Sequence, residues 1–214
     1  AVYPDRIQFN IEQLIKAADG DVERLRPHVK THKTGEILQI FKDYKIDKVK
    51  CATIAEAELC AMHHLSDILL AYQPEGLKMY RWLRLIQRYR NSVFSVIVDN
   101  IETATKLSAL AKENNLTLNI YLDINTGMNR TGVDVNDQWG ELALQIARLP
   151  QLNFLGIHIY DGHIKGTVEQ REQQAGNSFS KIIQGLSALQ EQLGYKLKIV
   201  AGGSNTFPFY AGIK

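Results

Sequence analysis

The chain has 214 residues, 45% of them hydrophobic and 22% charged, which excludes a disordered, collagen-like or coiled-coil protein and is enough for one sizeable core. Its formal net charge of +2 gives no reason to expect nucleic acid or an anionic membrane as a partner. No apolar run approaches the roughly 18 to 20 residues that cross a bilayer, and the first residues form no signal peptide, so we expect a soluble protein.

The two cysteines, Cys51 and Cys60, are nine residues apart and form no CxxC motif. This spacing argues against a disulfide framework and against a thiolate metal site, and we expect a cytoplasmic protein. The chain opens on Ala1 rather than on Met and stops at Lys214, soon after an apolar stretch rich in glycine. We therefore expect residues 1–214 to form one domain that is truncated at both ends.

Short β-branched runs alternate with amphipathic segments along the whole chain, as in proteins built from βα units. The predicted strands are Leu25–Lys30, Lys48–Ala52, Asp67–Tyr72, Val93–Val98, Leu116–Ile124, Phe154–Tyr160 and Leu197–Ala201. Helical stripes of apolar residues precede, separate or follow these runs. In chain order the stripes contain Ile7, Ile11, Leu14 and Ile15; Ile37, Leu38, Phe41 and Tyr44; Met79, Leu83 and Ile86; Ala104, Leu107 and Ala111; Leu142, Ile146 and Leu149; and Phe179, Ile182, Ile183, Leu186, Leu189 and Leu193.

The strand count favours an α/β barrel. Seven strands are predicted, and residues 1–3 would complete eight if they are the remnant of another. Eight strands, each followed by a helix, describe a (β/α)8 TIM-like barrel, in which the loops after the strands carry the chemistry. A doubly wound open sheet would produce the same local pattern, so the count and the polar residues at the strand ends decide for the barrel.

A cluster of cations ends the first predicted strand. Alternate residues of a strand share a face, which places Arg26, His28 and Lys30 together, with His32 and Lys33 close behind. A lysine among like charges that is partly removed from water has a lowered pKa, because both effects disfavour the ammonium. The uncharged amine is a nucleophile, so Lys30 is the candidate for Schiff-base chemistry with a carbonyl compound.

A glycine-rich turn follows the last predicted strand. It contains Gly202, Gly203, Ser204, Asn205 and Thr206, and barrels often bind phosphate at this position through backbone N–H groups and small hydroxyls. Lys30 lies at the other end of the chain but near this turn if the barrel closes. The pair predicts a phosphorylated aldehyde bound at both ends, and pyridoxal 5′-phosphate is such a molecule.

Two further strand ends carry polar side chains. Arg130 follows the fifth predicted strand in a loop flanked by glycines, where a guanidinium can bind an anion or a ring heteroatom. His158, Tyr160 and His163 end the sixth, and an aromatic ring there could pack against a flat cofactor. We add His28 to the candidates for cofactor contact, since it shares a strand face with Lys30.

The motifs together resemble those of the D-threonine aldolase and D-serine dehydratase family, which is related to alanine racemase. The resemblance covers nearly the whole chain, in the right order. Its motifs are Arg-Pro-His-Val-Lys-Thr-His-Lys at 26–33, Cys-Ala-Thr at 51–53, Glu-Ala-Glu at 56–58, Asp-Ile-Leu-Leu-Ala-Tyr at 67–72, Tyr-Asp-Gly-His at 160–163 and Gly-Gly-Ser at 202–204, with residues 125–132 similar to the racemase loop.

This resemblance implies the N-terminal barrel of a fold-type III pyridoxal phosphate lyase that acts on D-β-hydroxy amino acids. It implies that Lys30 forms the Schiff base, that Arg130 reaches the cofactor ring, that Tyr160 lies beside the ring and that residues 202–206 bind the phosphate. Members of the family continue into a C-terminal β-domain that binds a divalent metal, usually zinc. We expect the metal ligands beyond this chain, and a homodimer.

Several alternatives stay open from the sequence. It does not separate aldolase, dehydratase and racemase activity, nor does it choose a general base among Lys30, His158 and His163. A first rival function is a non-catalytic pyridoxal phosphate-binding homeostasis protein, which would also be a lone barrel. A second is a metal-dependent barrel hydrolase with His28, His32, His158 and His163 as ligands, because imidazoles at strand ends often bind zinc.

Overall fold

The computed structural model describes residues 2–136 and 138–213. That part of the chain forms a parallel sheet in the order β1-β2-β3-β4-β6-β7, with the short β5 paired to β4. The strands are β1 (Lys48–Cys51), β2 (Asp67–Leu70), β3 (Val93–Val98), β4 (Leu118–Asn125), β5 (Val133–Asp134), β6 (Leu152–Ile159) and β7 (Lys198–Ala201). The helices are α1 (Pro4–Ala17), α2 (Gly35–Asp43), α3 (Ile54–Met62), α4 (Leu77–Arg88), α5 (Ile101–Glu113), α6 (Trp139–Ala147), α7 (Val168–Leu193) and α8 (Phe207–Ala211).

The winding of the sheet confirms the barrel class. The strand order never reverses along the sheet, whereas a doubly wound sheet reverses at a switch point. The strands curl into a half-barrel, and the large apolar core lies between their convex face and the helices. A separate small cluster, built only from strand residues, fills the concave face. It consists of Leu69, Ile97 and Tyr121, with Leu155 and Val200 packed against them.

Six of the predicted strands are confirmed to within about two residues at each end, and every predicted helical stripe lies on or at the end of a helix. The first predicted strand, Leu25–Lys30, is wrong. It contributes one parallel bridge, between His28 and Lys50, and the amide of Lys50 donates to the carbonyl of Pro27. Pro27 has no N–H to donate, and the chain turns into a 3-10 helix over Val29–Thr31.

The expected eighth strand at residues 1–3 is not formed in the described residues either, since Val2 and Tyr3 lead directly into α1 and Ala1 lies outside them. The strand that sequence analysis did not predict is β5, only two residues long. The predicted count of eight is therefore wrong for the described ranges, although the fold class is right.

Short polar signals begin several of the helices. The Thr53 hydroxyl accepts from the amide of Glu56 at the start of α3, and the Asn100 side chain accepts from the amide of Thr103 at the start of α5. A full capping box, made by Thr167 and Gln170, opens the 26-residue α7. These caps fix the residue at which each loop ends and its helix begins.

A bulge in β6 re-aims the strand just before its functional end. The register between β4 and β6 shifts after Ile120, so that Gly156 rather than Leu155 pairs with Tyr121. Gly156 has φ +150°, and a Cβ there would lie 1.9 Å from the carbonyl oxygen of Lys198. Only glycine fits this close approach of β7, and the bulge decides which β6 residues face the concave side.

Within the described ranges, no helix is both long enough and apolar enough to span a lipid bilayer.

Candidate active site

The segments that carry the predicted site residues meet at one edge of the sheet. The loops after β4, β6 and β7 leave the carboxyl ends of parallel strands, which lie at the same edge. The turn of Lys30 joins them there, because the bridge between His28 and Lys50 aligns it with β1. The fold therefore brings the segment of Lys30, near one end of the chain, and the loop after β7, near the other end, to the same edge of the sheet.

Lys30 lies in the 3-10 turn Val29–Thr31, with its side chain exposed. The turn is held by His28, whose Nδ1 accepts from the amide of Lys30 at 3.2 Å and whose carbonyl accepts from the Thr31 hydroxyl at 3.3 Å. Val29 anchors the turn in the core, with no exposed surface. The backbone under Lys30 is thus fixed, and its amine projects into the site.

Three cations surround the ring of Tyr160. The ring centroid lies 4.9 Å from the Cζ atom of Arg130, 5.5 Å from Nζ of Lys30 and 5.7 Å from Nζ of Lys50. Each distance is within the range of a cation–π contact. The aromatic ring at the end of β6 therefore marks the point where the two lysines and the loop arginine converge.

A buried hydrogen-bonded row lies beneath this point, on the concave face. Nζ of Lys50 is 3.4 Å from Nε2 of His158, and Nδ1 of His158 is 2.6 Å from Oδ1 of Asp123. The exposed fractions of Lys50, His158 and Asp123 are 7%, 3% and 4%. Sequence analysis did not single out Lys50 or Asp123. The available signal was the position of each residue in its strand: Lys50 and Asp123 both lie between two apolar residues, on the face that alternation assigns to the barrel interior.

Burial and neighbouring cations set the protonation of this row. Burial, followed by the charge of Lys50, lowers the pKa of His158, so the imidazole is neutral at pH 7. A neutral imidazole has one N–H. Donated from Nδ1 to Asp123, it leaves Nε2 as the acceptor for Lys50. Burial, followed by the charge of Lys30, lowers the pKa of Lys50 to about 8, so its ammonium form predominates at pH 7.

His28 completes the charged surroundings of the site. Burial comes first among the causes that lower its pKa to about 3, and the charges of Lys50 and Lys30 follow. His28 is therefore neutral at pH 7, which suits the acceptor role of its Nδ1 toward the Lys30 amide. It borders the cation cluster without adding a positive charge.

Three members of the predicted cation cluster bind or pack against other side chains. Arg26 makes a bidentate ion pair with Asp67 at 2.9 and 2.6 Å. The ring of His32 packs edge-on against Phe41, with the centroids 5.6 Å apart. The ammonium of Lys33 is 3.5 Å from a carboxylate oxygen of Glu56.

These placements correct the prediction that Arg26, His32 and Lys33 cluster with His28 and Lys30. For His32 and Lys33 the physical reason is the 3-10 turn, which ends the strand-like alternation after His28. Arg26 precedes the turn and is held by its ion pair with Asp67. The residues that follow the turn point toward α2 and α3 instead of into the site.

The glycine-rich turn packs against Tyr160. A Cβ on Gly203 would lie 3.3 Å from Cε2 of Tyr160, so glycine lets the backbone approach the ring closely. The Thr206 hydroxyl is buried; it donates to Oδ1 of Asp161 at 2.5 Å and accepts from the amide of Gly203 at 3.0 Å. The Asn205 amide group donates to the carbonyl of Ile164.

The side chains of Asn205 and Thr206, two of the predicted phosphate ligands, are thus hydrogen-bonded within the protein and stabilise the turn. In residues 2–136 and 138–213, the backbone amides of Ser204 and Asn205 donate to no protein acceptor, and the Ser204 side chain is exposed. These groups are available for an anion.

The loop after β4 is shaped by Asn125. Its Oδ1 accepts from the amides of Gly127 and Asn129, both at 3.0 Å. Farther along, the Thr131 hydroxyl donates to Oδ2 of Asp123 at 2.9 Å, which connects the loop to the buried row. The residue between them, Arg130, is therefore presented on a loop that is tied down on both sides.

His163 lies against this loop. Its Nε2 would be 3.0 Å from a Cβ on Gly127, so the glycine makes room for the imidazole. Within the described part of the chain, Nδ1 of His163 and the hydroxyl of Thr126 are buried without a hydrogen-bond partner. Buried polar atoms are usually paired, so these two are candidates for contact with a water or a bound molecule.

Neither cysteine is a good nucleophile. Burial raises the pKa of Cys51 well above its usual range, and its thiol donates to the carbonyl of Leu69 at 3.4 Å. Burial also raises the pKa of Cys60 to about 12.

In residues 2–136 and 138–213, no three His, Cys, Asp or Glu residues are grouped so that they could hold a metal ion. The four histidines of the hydrolase alternative do not form such a group there.

The residues present fit pyridoxal phosphate. They provide an amine for an aldehyde on Lys30, a guanidinium on Arg130, an aromatic face on Tyr160 and free turn amides at 204–205 for an anionic group. The side chains of Lys30, Lys50 and Arg130 bring three positive charges to the site, against two carboxylates, Asp123 and Asp161. A flat anionic aldehyde matches this arrangement in shape and in charge.

The fold is similar to that of solved pyridoxal phosphate lyases. D-threonine aldolase from Filomicrobium marinum superimposes with a TM-score of 0.87 at 26% identity, covering 97% of this chain and 56% of that chain. D-threo-3-hydroxyaspartate dehydratase from Delftia sp. HT23 superimposes with a TM-score of 0.80 at 25% identity, covering 93% of this chain and 52% of that chain. A variant of that dehydratase is described as a metal-free form.

The sequence is similar to that of a curated aldolase. It is 27% identical over 203 residues to 3-hydroxy-D-aspartate aldolase from Paracoccus denitrificans (strain Pd 1222), covering 93% of this chain and 52% of the aldolase. The chain thus spans about half the length of the relatives it matches. The family model described as alanine racemase, N-terminal domain, matches residues 2–209. The chain therefore belongs to the alanine racemase N-terminal domain family, of the fold-type III pyridoxal phosphate enzymes.

Proposed function

We propose that the chain is the cofactor-binding barrel of a pyridoxal phosphate-dependent lyase that acts on D-β-hydroxy amino acids. The observation that carries the proposal is the convergence of Lys30 and Arg130 on the ring of Tyr160, against which the glycine-rich turn packs. An amine, a guanidinium and free turn amides around one aromatic face are the groups that a phosphorylated aromatic aldehyde needs.

Each residue has a distinct task in this proposal. The Lys30 amine would hold the cofactor through its aldehyde group. Arg130 binds the ring, Tyr160 packs beside it, and His28 holds the backbone under Lys30. Residues 202–206 hold the phosphate, directly through Ser204 and the amides of 204–205 and indirectly through the bonds that shape the turn. When bound, pyridoxal phosphate supplies an electron sink for bond cleavage at the substrate's α carbon.

The proton-transfer groups available are Lys30, His158 and His163. The amine of Lys30 lies at the site and, when it is uncharged and unbound, could accept a proton. Among the residues that the structure describes, a buried ring nitrogen of His163, beside the β4 loop, has no protein partner. His158 is neutral at pH 7 and therefore able to accept a proton, but its Nε2 faces Lys50.

The relatives indicate the substrate class. Their names describe aldolases of 3-hydroxy-D-aspartate and D-threonine and a dehydratase of D-threo-3-hydroxyaspartate. All of these substrates are D-amino acids with a β-hydroxyl. Retro-aldol cleavage needs a base on the β-hydroxyl and yields glycine and an aldehyde, whereas dehydration needs removal of the α-proton and departure of the hydroxyl.

The proposal includes a divalent metal, zinc by the family resemblance, with ligands outside this chain, and a homodimer. A bound metal would polarise the substrate's β-hydroxyl as a Lewis acid. Metal analysis and sedimentation of the complete gene product test these two parts. If the complete gene product is fully active as a metal-free monomer, the proposed metal and the proposed homodimer are both refuted, but the assignment of Lys30 is not affected.

Cofactor binding is tested by spectroscopy and borohydride trapping. Wild-type protein mixed with pyridoxal phosphate should develop the yellow absorbance of the amine-bound cofactor. Borohydride should then attach the cofactor to Lys30, as located by peptide mass spectrometry. Lys30→Ala should abolish both signals, while the control Lys33→Ala, whose lysine pairs with Glu56 outside the site, should keep them. An unchanged spectrum in Lys30→Ala would overturn the proposal.

Turnover separates the remaining functions. The complete gene product, loaded with pyridoxal phosphate and zinc, should cleave or dehydrate D-threonine, D-serine or 3-hydroxy-D-aspartate. Glycine and an aldehyde would identify an aldolase, and ammonia with an oxo acid would identify a dehydratase. Tight cofactor binding at Lys30 without turnover of any of the three would instead favour a non-catalytic pyridoxal phosphate carrier.

A further inference from the structure

Lys50 is a buried cation that the proposed function leaves without a task. It lies in β1 between the fully buried Val49 and Cys51, and its side chain is on the concave face, with 7% exposed. A lysine is almost never buried to this extent unless it is paired. Its Nζ reaches the site, since it lies 5.7 Å from the centroid of the Tyr160 ring.

The groups that face Lys50 come from every segment around it. They are Lys30, His28 and Arg26 from the segment before β1, Asp123 from β4, His158 from β6, and Tyr160 and Asp161 from the loop after β6. Both carboxylates already have partners. Asp123 accepts from His158 and Thr131, and Asp161 accepts from Thr206 and Tyr210.

Among the described residues, the one side-chain hydrogen bond of Lys50 is therefore with an imidazole rather than with a carboxylate. Its partner is Nε2 of His158, at 3.4 Å. The opposite ring nitrogen is held by Asp123 at 2.6 Å, which fixes the orientation of the ring. Nε2 is consequently the nitrogen at which His158 could take up a proton, and Lys50 occupies it.

We propose that Lys50 is a positioning residue that gates His158: its ammonium occupies Nε2 of the imidazole, and loss of the Lys50 proton frees that nitrogen to accept one. The catalytic consequence rests on the proposed lyase function, whereas the pairing itself does not.

The proton balance explains the gate. With Lys50 as an ammonium, protonation of His158 would place two positive charges 3.4 Å apart in a buried site, which is strongly disfavoured. The pair therefore holds one proton. When Lys50 releases its proton to solvent, the imidazole can take a proton from a bound substrate and return it later. The pKa of Lys50, about 8, places this change just above neutral pH.

Histidine ¹⁵N NMR of the cofactor-free full chain between pH 5 and pH 10 tests the pair directly. In the wild type, the Nε2 resonance of His158 should shift near pH 8 while the ring stays neutral. Lys50→Met should remove that step and move protonation of the imidazole to higher pH, because the neighbouring charge is lost. Lys50→Arg should remove the step but leave the ring as it is in the wild type at pH 7.

The control is Lys48→Met, two residues earlier on the same face of β1, where the lysine pairs with the exposed Glu23. It should leave the His158 resonances unchanged. A pH 8 step that persists in Lys50→Met, or the same change in Lys48→Met, would overturn the inference. If Lys50→Met does not fold, Lys50→Arg still decides it, since an arginine stays charged throughout the range.

The pH dependence of the enzyme activity supplies a second test, because it would not change if Lys50 had a purely structural role. If the lyase uses His158, kcat should rise through about pH 8, and Lys50→Arg should lose that rise with KM little changed. Failure of cofactor binding at Lys30 with the NMR step intact would refute the proposed function but not the gate. Normal binding at Lys30 without the step would refute the gate alone.

Discussion

Adjacent residues of β4 lie in two different environments. Ile120 and Leu122 face the helices and belong to the large apolar core, whereas Tyr121 and Asp123 face the concave side. The convex face consists of interchangeable apolar contacts that stabilise the barrel. The concave face has a small apolar layer and, above it, side chains whose hydrogen bonds specify one arrangement. A single alternating strand can thus supply both stability and chemistry, and mutations on its two faces should have separable effects.

The largest expected effect is on the convex face. Leu122→Ala should lower the free energy of unfolding by about 2–5 kcal/mol, because Leu122 is fully buried and truncation leaves a cavity. Urea denaturation at pH 7 measures this. The fraction that remains folded should still bind pyridoxal phosphate at Lys30. The exposed Lys112→Ala serves as control and should change the unfolding midpoint little. Equal stability of Leu122→Ala and wild type would contradict the division between the faces.

Arg130→Met should weaken cofactor binding but leave the folding stability nearly unchanged, the reverse of what is expected for Leu122→Ala. The guanidinium is exposed on the β4 loop, so its loss should leave the stability nearly unchanged. Binding of pyridoxal phosphate should weaken by about 1.5–3 kcal/mol, the value of a charge-assisted hydrogen bond, which is roughly a 10- to 150-fold rise in Kd. Absorbance titration measures Kd. Arg148→Met on the exposed surface after α6 is the matched control, and the same loss of affinity in both variants would refute a specific role for Arg130.

The smallest expected effect is the pH dependence of the folding stability that arises from His28. The folded protein keeps His28 neutral with a pKa of about 3, below the usual value of 6.5, so the unfolded chain binds the extra proton first. Stability should therefore fall as the pH drops below about 6.5, and this single group should remove roughly 2 kcal/mol by pH 5, less where solvent screens it. Urea midpoints at pH 7 and pH 5 measure the loss.

In the His28→Asn variant this loss should be smaller, since asparagine keeps an acceptor for the Lys30 amide but does not titrate. The remaining loss should include a contribution from His158, whose pKa is also lowered by burial. His64→Asn is the control because His64 is exposed. A pH dependence that is unchanged in His28→Asn but reduced in His64→Asn would contradict the assignment.

Most of the strands could be predicted from the sequence, because a strand that is buried on both faces forms a recognisable apolar run. The residues at the strand ends could be predicted because polar side chains follow such runs, as at Tyr160 and Arg130. The prediction failed at Leu25–Lys30, where the apolar alternation continued through Pro27 into a segment that forms one bridge and then a 3-10 turn. Pairing depends on a neighbour's free N–H and C=O groups, which local alternation does not report.

The same limit applies to the site. The motif around Lys30 singled out that lysine as the candidate amine, but it grouped Arg26 and Lys33 with it, and the fold pairs these with Asp67 and Glu56 instead. Lys50 was overlooked because its neighbours in sequence are ordinary strand residues. Its importance arises only from His158, 108 positions away.

By itself, the sequence determined the class of the fold and its family, and it singled out Lys30 as the candidate amine, because periodicity and short motifs are local properties of the chain. The tertiary structure decided which cations share a site, which carboxylates are already paired and which lysine is buried. Those outcomes depend on desolvation and on distances between residues far apart in the chain, and such quantities exist only once the strands have assembled.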